Sequence, residues 1–228
     1  MIGIIGAMRA EVDALIEKLE GCRVTQISGI PFYTGKLEGK EIVIAPCGVG
    51  KVFAATCAQT MILKFAPEFI LHTGVAGSLS KSLSVGDIAL ASALVQHDMD
   101  TSPLGDPKGL ISGINIVEIP TDDNLTKSVA TIADRLSLTH KSGIVATGDR
   151  FVATPEGKNE IAKEFGAIAC EMEGGAIAQV CFINQIPLCV IRAISDSLDG
   201  NGSMEYPVFL SLAAERAVKL IVTFLKSL

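Results

Sequence analysis

What most constrains this chain is its punctuation. Short aliphatic runs, closed by glycines or carboxylates, alternate with segments of helical periodicity along the whole length. Residues 2–5 form an apolar run ended by Gly6, and Val12, Leu15, Ile16 and Leu19 then recur at helical spacing over 11–19. Segments 24–28 and 32–37 flank Gly29-Ile30-Pro31 as a hairpin, with a strand at 41–45 behind it. Gly48-Val49-Gly50 precedes a helix over 52–65, and Phe69-Ile70-Leu71 is a strand entering the glycine loop Thr73-Gly74-Val75-Ala76-Gly77. Strands are predicted at 88–94, 143–146, 167–170 and 188–191. Helices are predicted at 124–136, with Thr121 or Asp122 as N-cap, and at 155–165, 174–182 and 209–225. Aliphatic strands separated by helices of roughly ten residues or more predict an α/β fold. The expected architecture is a single domain over residues 1–228: a largely parallel, twisted mixed sheet between two helical layers.

Charge narrows the function. Only 19% of the residues are charged, against about 25% in ordinary soluble chains. Nineteen basic and 25 acidic residues give a net −6 with no basic cluster, which argues against nucleic acid as partner. The longest uncharged stretch, 18 residues over 174–191, contains Gln179, Asn184, Gln185 and Pro187 and is no membrane span. No basic leader precedes the first apolar run, so a cytoplasmic protein is expected. The six cysteines lack any C-x-x-C pair and read as small buried hydrophobes in a reducing compartment.

In an α/β sheet, ligands gather at the carboxyl ends of the strands. The segments to inspect are therefore 6–11, 48–51, 73–77, 147–151, 171–173 and 193–196. Gly3 and Gly6 lack the order of a dinucleotide fingerprint, and Gly48-Val49-Gly50-Lys51 lacks both the first glycine and the hydroxyl of a phosphate loop. Glu171-Met172-Glu173 is more informative. Glu173 either favours a helix N-terminus or accepts two hydrogen bonds from a vicinal diol such as ribose. Asp196 either caps the next segment or, if desolvated, holds a proton near neutral pH. Glu11 alone reads as a first-turn glutamate, and Arg192 as a salt-bridge partner. Three acids on one sheet edge of a charge-poor chain are harder to dismiss together. Gln96-His97-Asp98-Met99-Asp100 has one histidine and no second nearby, so a structural hydrogen-bond role is expected and no metal site.

With these strand-end segments in hand, the chain resembles the bacterial 5′-methylthioadenosine/S-adenosylhomocysteine nucleosidases, within the purine nucleoside phosphorylase-like family. The resemblance runs nearly the full length through 2–12, 48–51, 73–77, 85–88, 147–151, 171–173 and 192–196. It extends to a subgroup that accepts 6-amino-6-deoxyfutalosine in menaquinone synthesis, which shares Gly74-Val75-Ala76-Gly77-Ser78 and Gln96-His97-Asp98. The resemblance implies hydrolysis of the N-glycosidic bond of methylthioadenosine, adenosylhomocysteine, 5′-deoxyadenosine or the futalosine analogue, without metal or organic cofactor. It implies Asp196 as general acid at N7 of adenine and Glu11 as the group that polarises the attacking water. Glu173 would hold the ribose hydroxyls with Met172 against the sugar, and Arg192 would place Glu11 or the water. Phe151 would stack on adenine and the Val152 backbone would meet its edge, with Ala76, Gly77 and Ser195 nearby. Met8, Val49, Phe151, Tyr206 and Phe209 would line the pocket for the 5′-thio substituent. A homodimer is implied, with segment 101–104 of a partner closing that pocket. Val75 departs from the serine many relatives carry there, removing a hydroxyl contact to ribose or water. Rival readings are a phosphate-dependent phosphorylase, which needs cationic clamps, a non-catalytic nucleoside-binding module and, more distantly, a dehydrogenase.

Overall fold

Every predicted strand and helix is present in the computed structural model, which describes residues 1–200 and 202–228, and the side chains of all of these except 202–204 and 207. In chain order the first half comprises β1 (Ile2–Gly6), α1 (Arg9–Ile16), β2 (Glu20–Ile27), β3 (Ile30–Leu37), β4 (Lys40–Pro46), α2 (Lys51–Phe65), β5 (Phe69–Ser78) and β6 (Ile88–Gln96). A 3-10 turn at Ser102–Leu104 leads to the short β7 (Ile119–Pro120), which the sequence reading misses. Then follow α3 (Asp123–Arg135), β8 (His140–Thr147), α4 (Pro155–Phe165), β9 (Ala169–Glu171), α5 (Gly174–Asn184), β10 (Leu188–Asp196) and α6 (Gly202–Ser227). Among the described residues, no helix is long and apolar enough to cross a membrane.

The strands form one ten-stranded sheet. Its antiparallel share exceeds the expectation. Half of the pairings, β2–β3, β3–β4, β5–β9, β6–β7 and β6–β10, are antiparallel. The sheet also closes on itself. β5 pairs with β10, β10 with β6, β6 with β8, β8 with β9, and β9 returns to β5. Outside this ring runs the ribbon β1-β4-β3-β2, ending on the exposed strand β2.

Ring closure explains why the expected glycine loop at 73–77 is strand. The first half of β5 pairs with β1 from Phe69 to His72, and its last residues, Gly77 and Ser78, pair with Cys170 and Ala169 of β9. Strand β10 likewise runs on through Asp196, with a register shift at Ile194/Asp196, so Asp196 is a strand residue and not a helix cap.

Alternation along β10 divides its side chains between two cores. Leu188, Val190 and Ile194 join the cluster with Cys57 and Met61 of α2 and Ile177 and Cys181 of α5. Cys189, Ile191 and Ala193 face the cluster with Val12 and Leu15 of α1, Val129 and Ile132 of α3 and Leu220 and Phe224 of α6. The helices thus cover both faces. Five of the cysteines are buried and Cys22 is exposed, and all are free thiols. The helix predicted at 209–225 starts earlier, at Gly202, and its first turn brings Glu205 and Tyr206 to the sheet end.

Candidate active site

Each of the suspected strand-end segments contributes to a single cavity of about 190 Å³. Its walls include Ala7, Met8 and Glu11 from the β1–α1 junction, Val49 before α2, and Val75, Ala76 and Gly77 of β5. Phe151 follows β8, Cys170 to Glu173 follow along β9, Ser195 and Asp196 close β10, and Tyr206 reaches in from α6. Val152 lies in a small adjoining recess with Arg150 and Gly77. Arg192 is fully buried behind the wall, and Phe209, half-buried, is not among the cavity's lining residues.

Glu11 sits in the first turn of α1 and folds back onto the loop before it. Its Oε2 accepts from the amides of Ala7 (2.7 Å) and Met8 (2.9 Å), and its Oε1 from the amide of Val75 (3.0 Å). Position 75 therefore serves Glu11 through its backbone, which valine supplies as well as serine. Gly74 makes this approach feasible: a Cβ there would stand 2.6 Å from Glu11 Oε1 and against Arg192 Nη1.

Arg192 makes no hydrogen bond to Glu11, so of its two expected roles, placing Glu11 or placing the water, the first has no direct contact behind it. It donates through Nη2 to Glu171 and to His72, and that nitrogen lies 3.9 Å from Glu173 Oε2. Its Nε and Nη1 have no hydrogen-bond partner among the described residues. His72 Nδ1 contacts the Ile5 carbonyl at 2.9 Å, which leaves Nε2 to accept from Arg192. Burial and the adjacent guanidinium push this imidazole below its usual range.

Glu171 and Glu173, two residues apart, have opposite environments. Glu171 accepts from Arg192, from Thr147 Oγ1 and from the amides of Glu173 (3.0 Å) and Gly174 (2.7 Å) at the start of α5. Burial opposes its charge, but the Arg192 guanidinium, joined by the Thr147 hydroxyl, outweighs it and holds the carboxyl well below the usual carboxylate range. Glu173 accepts only one protein hydrogen bond among the described residues, from the amide of Gly50 at 2.8 Å. Burial, reinforced by the charge of Glu171, pushes Glu173 up to about 7. His72, Glu171 and Glu173 bring ligand atoms within 4.8 Å of one another, a spacing that would suit a metal ion. The guanidinium of Arg192 already supplies the cation there.

Asp196 is gripped on both oxygens. Ser195 Oγ donates to Oδ1 at 2.8 Å, and Lys158 Nζ donates to Oδ2 at 2.5 Å. Gly77 leaves room for it, since a Cβ there would lie 2.8 Å from Oδ2. Lys158 is fully buried on α4 and escapes the sequence reading. The available signal is its spacing: it stands three residues before Ile161 and seven before Phe165, on the helix's apolar stripe.

At the cavity mouth Phe151 is 47% exposed and meets Tyr206 edge-on, with ring centroids 5.6 Å apart. Tyr206 O–H contacts Met8 Sδ at 3.3 Å. In the Gln96-His97-Asp98 segment the expected hydrogen-bond role falls to Gln96 and Asp98, whereas His97 Nε2 is buried without a partner among the described residues. Asp98 pairs with Lys51 Nζ (2.7 Å) and accepts from the Asp149 amide (2.9 Å), while Gln96 donates to Gln179 (2.8 Å). The cavity thus offers four carboxylates in four settings, Glu11 on amides, Asp196 on an ammonium, Glu171 on a guanidinium and Glu173 raised by burial, beside an apolar and aromatic wall.

Known proteins share this arrangement of the chain. The profile of the phosphorylase superfamily matches residues 1–226. A 5′-methylthioadenosine/S-adenosylhomocysteine nucleosidase of Staphylococcus haemolyticus is 38% identical over 229 aligned residues, covering 100% of both chains. The crystal structure of the nucleosidase of that name from Neisseria meningitidis, in complex with methylthio-immucillin-A, superposes with a TM-score of 0.95 at 34% identity. It covers 100% of this chain and 99% of its own. A futalosine hydrolase of Helicobacter pylori also superposes with a TM-score of 0.95, at 36% identity, covering 100% of this chain and 97% of its own.

Proposed function

The chain belongs to the phosphorylase superfamily and, within it, to the 5′-methylthioadenosine/S-adenosylhomocysteine nucleosidases, and from that premise we propose that it hydrolyses the N-glycosidic bond of 5′-thioadenosines, releasing adenine. The observation that carries this reading is the division of labour among its acids: Glu11 on three amides, Asp196 on Lys158 and Ser195, and Glu173 nearly free.

In the proposed reaction Asp196 protonates N7 of adenine as the C1′–N9 bond breaks and its electron pair leaves with the base. The sugar becomes oxocarbenium-like, and nearby carboxylates stabilise that charge. Glu11 takes the proton of the water that attacks C1′. Glu173, with acceptor capacity to spare, binds the ribose 2′- and 3′-hydroxyls, and Met172 packs against the sugar. Phe151 stacks on adenine, the Val152 backbone meets its edge, and Ala76, Gly77 and Ser195 border it. Met8, Val49 and Tyr206 receive the 5′-thio group, a soft and uncharged substituent that suits such walls. Phe209 drops out of this set. Arg192 acts by fixing Glu171 beneath the ribose acid. The reaction so written uses no metal or organic cofactor.

A phosphorylase fits less well. The described cavity wall contains Glu11, Glu171, Glu173 and Asp196 but no lysine or arginine, which disfavours a phosphate dianion. The futalosine hydrolase likeness supports 6-amino-6-deoxyfutalosine as a further substrate. The free thiols favour a cytoplasmic setting. A homodimer, with segment 101–104 of the second copy over the mouth, is supported by the exposed Val49, Val52, Phe53, Leu104 and Phe151.

Adenine release from methylthioadenosine in phosphate-free buffer is the test. Asp196→Asn should lower kcat by about 10²–10⁴-fold while still binding a nucleoside analogue. A requirement for phosphate, or an undiminished Asp196→Asn variant, would overturn the reading.

A further inference from the structure

Lys158 is a costly residue where it stands. Its ammonium is fully buried, and both observed hydrogen bonds of Nζ are to oxygens at the end of β10: Asp196 Oδ2 and the Ser197 carbonyl, each at 2.5 Å. Its neighbours on the inward face of α4 are apolar: Ile161, Ala162 and Phe165. Replacing a buried ion pair by apolar side chains of similar size is often neutral or stabilising, so packing gives no reason for a lysine here. Its target gives one. Lys158 does not line the cavity, Asp196 does, and everything around the pair fixes it. Ser195 holds Oδ1, Gly77 clears the space against Oδ2, and Glu205 accepts from the Ser197 amide at 2.6 Å.

A carboxylate that accepts from a hydroxyl on one oxygen and an ammonium on the other has no proton of its own to give. The nearest proton in line with Oδ2 is on Lys158 Nζ. We propose that Lys158 is the positioning residue of Asp196 and stores the proton that Asp196 delivers to the leaving base. This rests on the nucleosidase reading above. In the step itself, an Nζ–H bond breaks as the Asp196 O–H bond forms. That O–H bond then breaks as N7–H forms and the C1′–N9 electron pair departs with adenine. Water loses its proton to Glu11 and thence to solvent, and solvent returns one to Lys158 after adenine leaves. The sum is one water consumed per bond cleaved.

Lys158→Met removes the store, and Lys158→Arg keeps the charge but cannot surrender a proton. Both should be assayed for kcat and KM across pH. One substrate is methylthioadenosine; the other is a 5-methylthioriboside bearing p-nitrophenolate, a leaving group that needs no protonation. On methylthioadenosine we expect kcat to fall about 10²-fold in both variants with KM within about 3-fold. In Lys158→Met the alkaline limb of the kcat profile should move at least one pH unit lower, because only the carboxyl then holds a proton. The p-nitrophenyl substrate should be cleaved at near wild-type rate. Lys158→Arg keeps the ion pair and so covers the case in which Lys158→Met does not fold. Unchanged kcat in Lys158→Arg, or equal losses on both substrates, overturns the proposal alone. Failure of the unaltered protein to release adenine overturns the nucleosidase reading and this proposal with it.

Discussion

At the scale of single residues, the site depends as much on missing atoms as on present ones. Gly74 lies on a regular strand, and its value is the absence of a Cβ between Glu11 and Arg192. Gly74→Ala forces one of two buried charged groups to move. It should destabilise the protein by about 1–3 kcal/mol, seen as a melting temperature lower by roughly 2–4 °C per kcal/mol for a chain of this size. Activity should fall more steeply than stability, because Glu11 is displaced from the amides of Ala7, Met8 and Val75. A thermal melt and a kcat measurement on the same sample check both. A variant that melts as wild type and keeps its turnover would show that Arg192 and Glu11 yield freely.

At the scale of elements, two helix N-termini meet at Glu173. Gly50 caps α2 and donates to it, and Glu173 itself occupies the N-cap of α5. Partial positive charge at both termini favours a carboxylate there, yet burial and Glu171 raise Glu173 to about 7 from an ordinary 4.5. The sign follows. A carboxyl with a raised folded-state pKa gives stability that is present below the unfolded value and lost as pH rises through about 7. Glu173→Gln, which mimics the protonated form, should therefore melt higher than wild type at pH 8 and alike at pH 5. The same variant should bind ribosyl ligands more weakly at pH 8. Melting curves and ligand titrations at the two pH values decide it. Much of this architecture is legible in the sequence, because aliphatic runs such as 188–191 and apolar stripes such as Val12-Leu15-Ile16-Leu19 carry their own periodicity. The carboxylates are legible because charge is scarce. The extension of β5 through Gly74 and of β10 through Asp196 is not, since these two strands, distant in sequence, pair with each other there and β9 pairs with the end of β5. Lys158 is hidden for a related reason: a lysine on a helix reads as solvated until the helix is placed against β10.

At the scale of the whole molecule, the cavity opens beneath apolar residues that this chain alone leaves uncovered. Val52 is 77% exposed and Phe53 56%, on the first turn of α2 beside Val49. If a second copy covers them, Val52→Asp should give a folded monomer with weakened affinity for thioadenosines and little change in melting at low concentration. Light scattering and a concentration series of activity check this, and an unchanged oligomer overturns the proposed seat. The closed circuit β5-β10-β6-β8-β9 has a different implication, for how such a chain can diverge. A strand in an open sheet can shift and let the displacement run out at the edge. In a circuit it cannot: a slip of β10 must be matched by β5 and β6 together, and Asp196, Glu171 and the Val75 amide ride on members of that circuit. Drift is therefore channelled outward, into the hairpins of the β4-β3-β2 ribbon, where β2 ends in solvent and a change of register or length disturbs no acid.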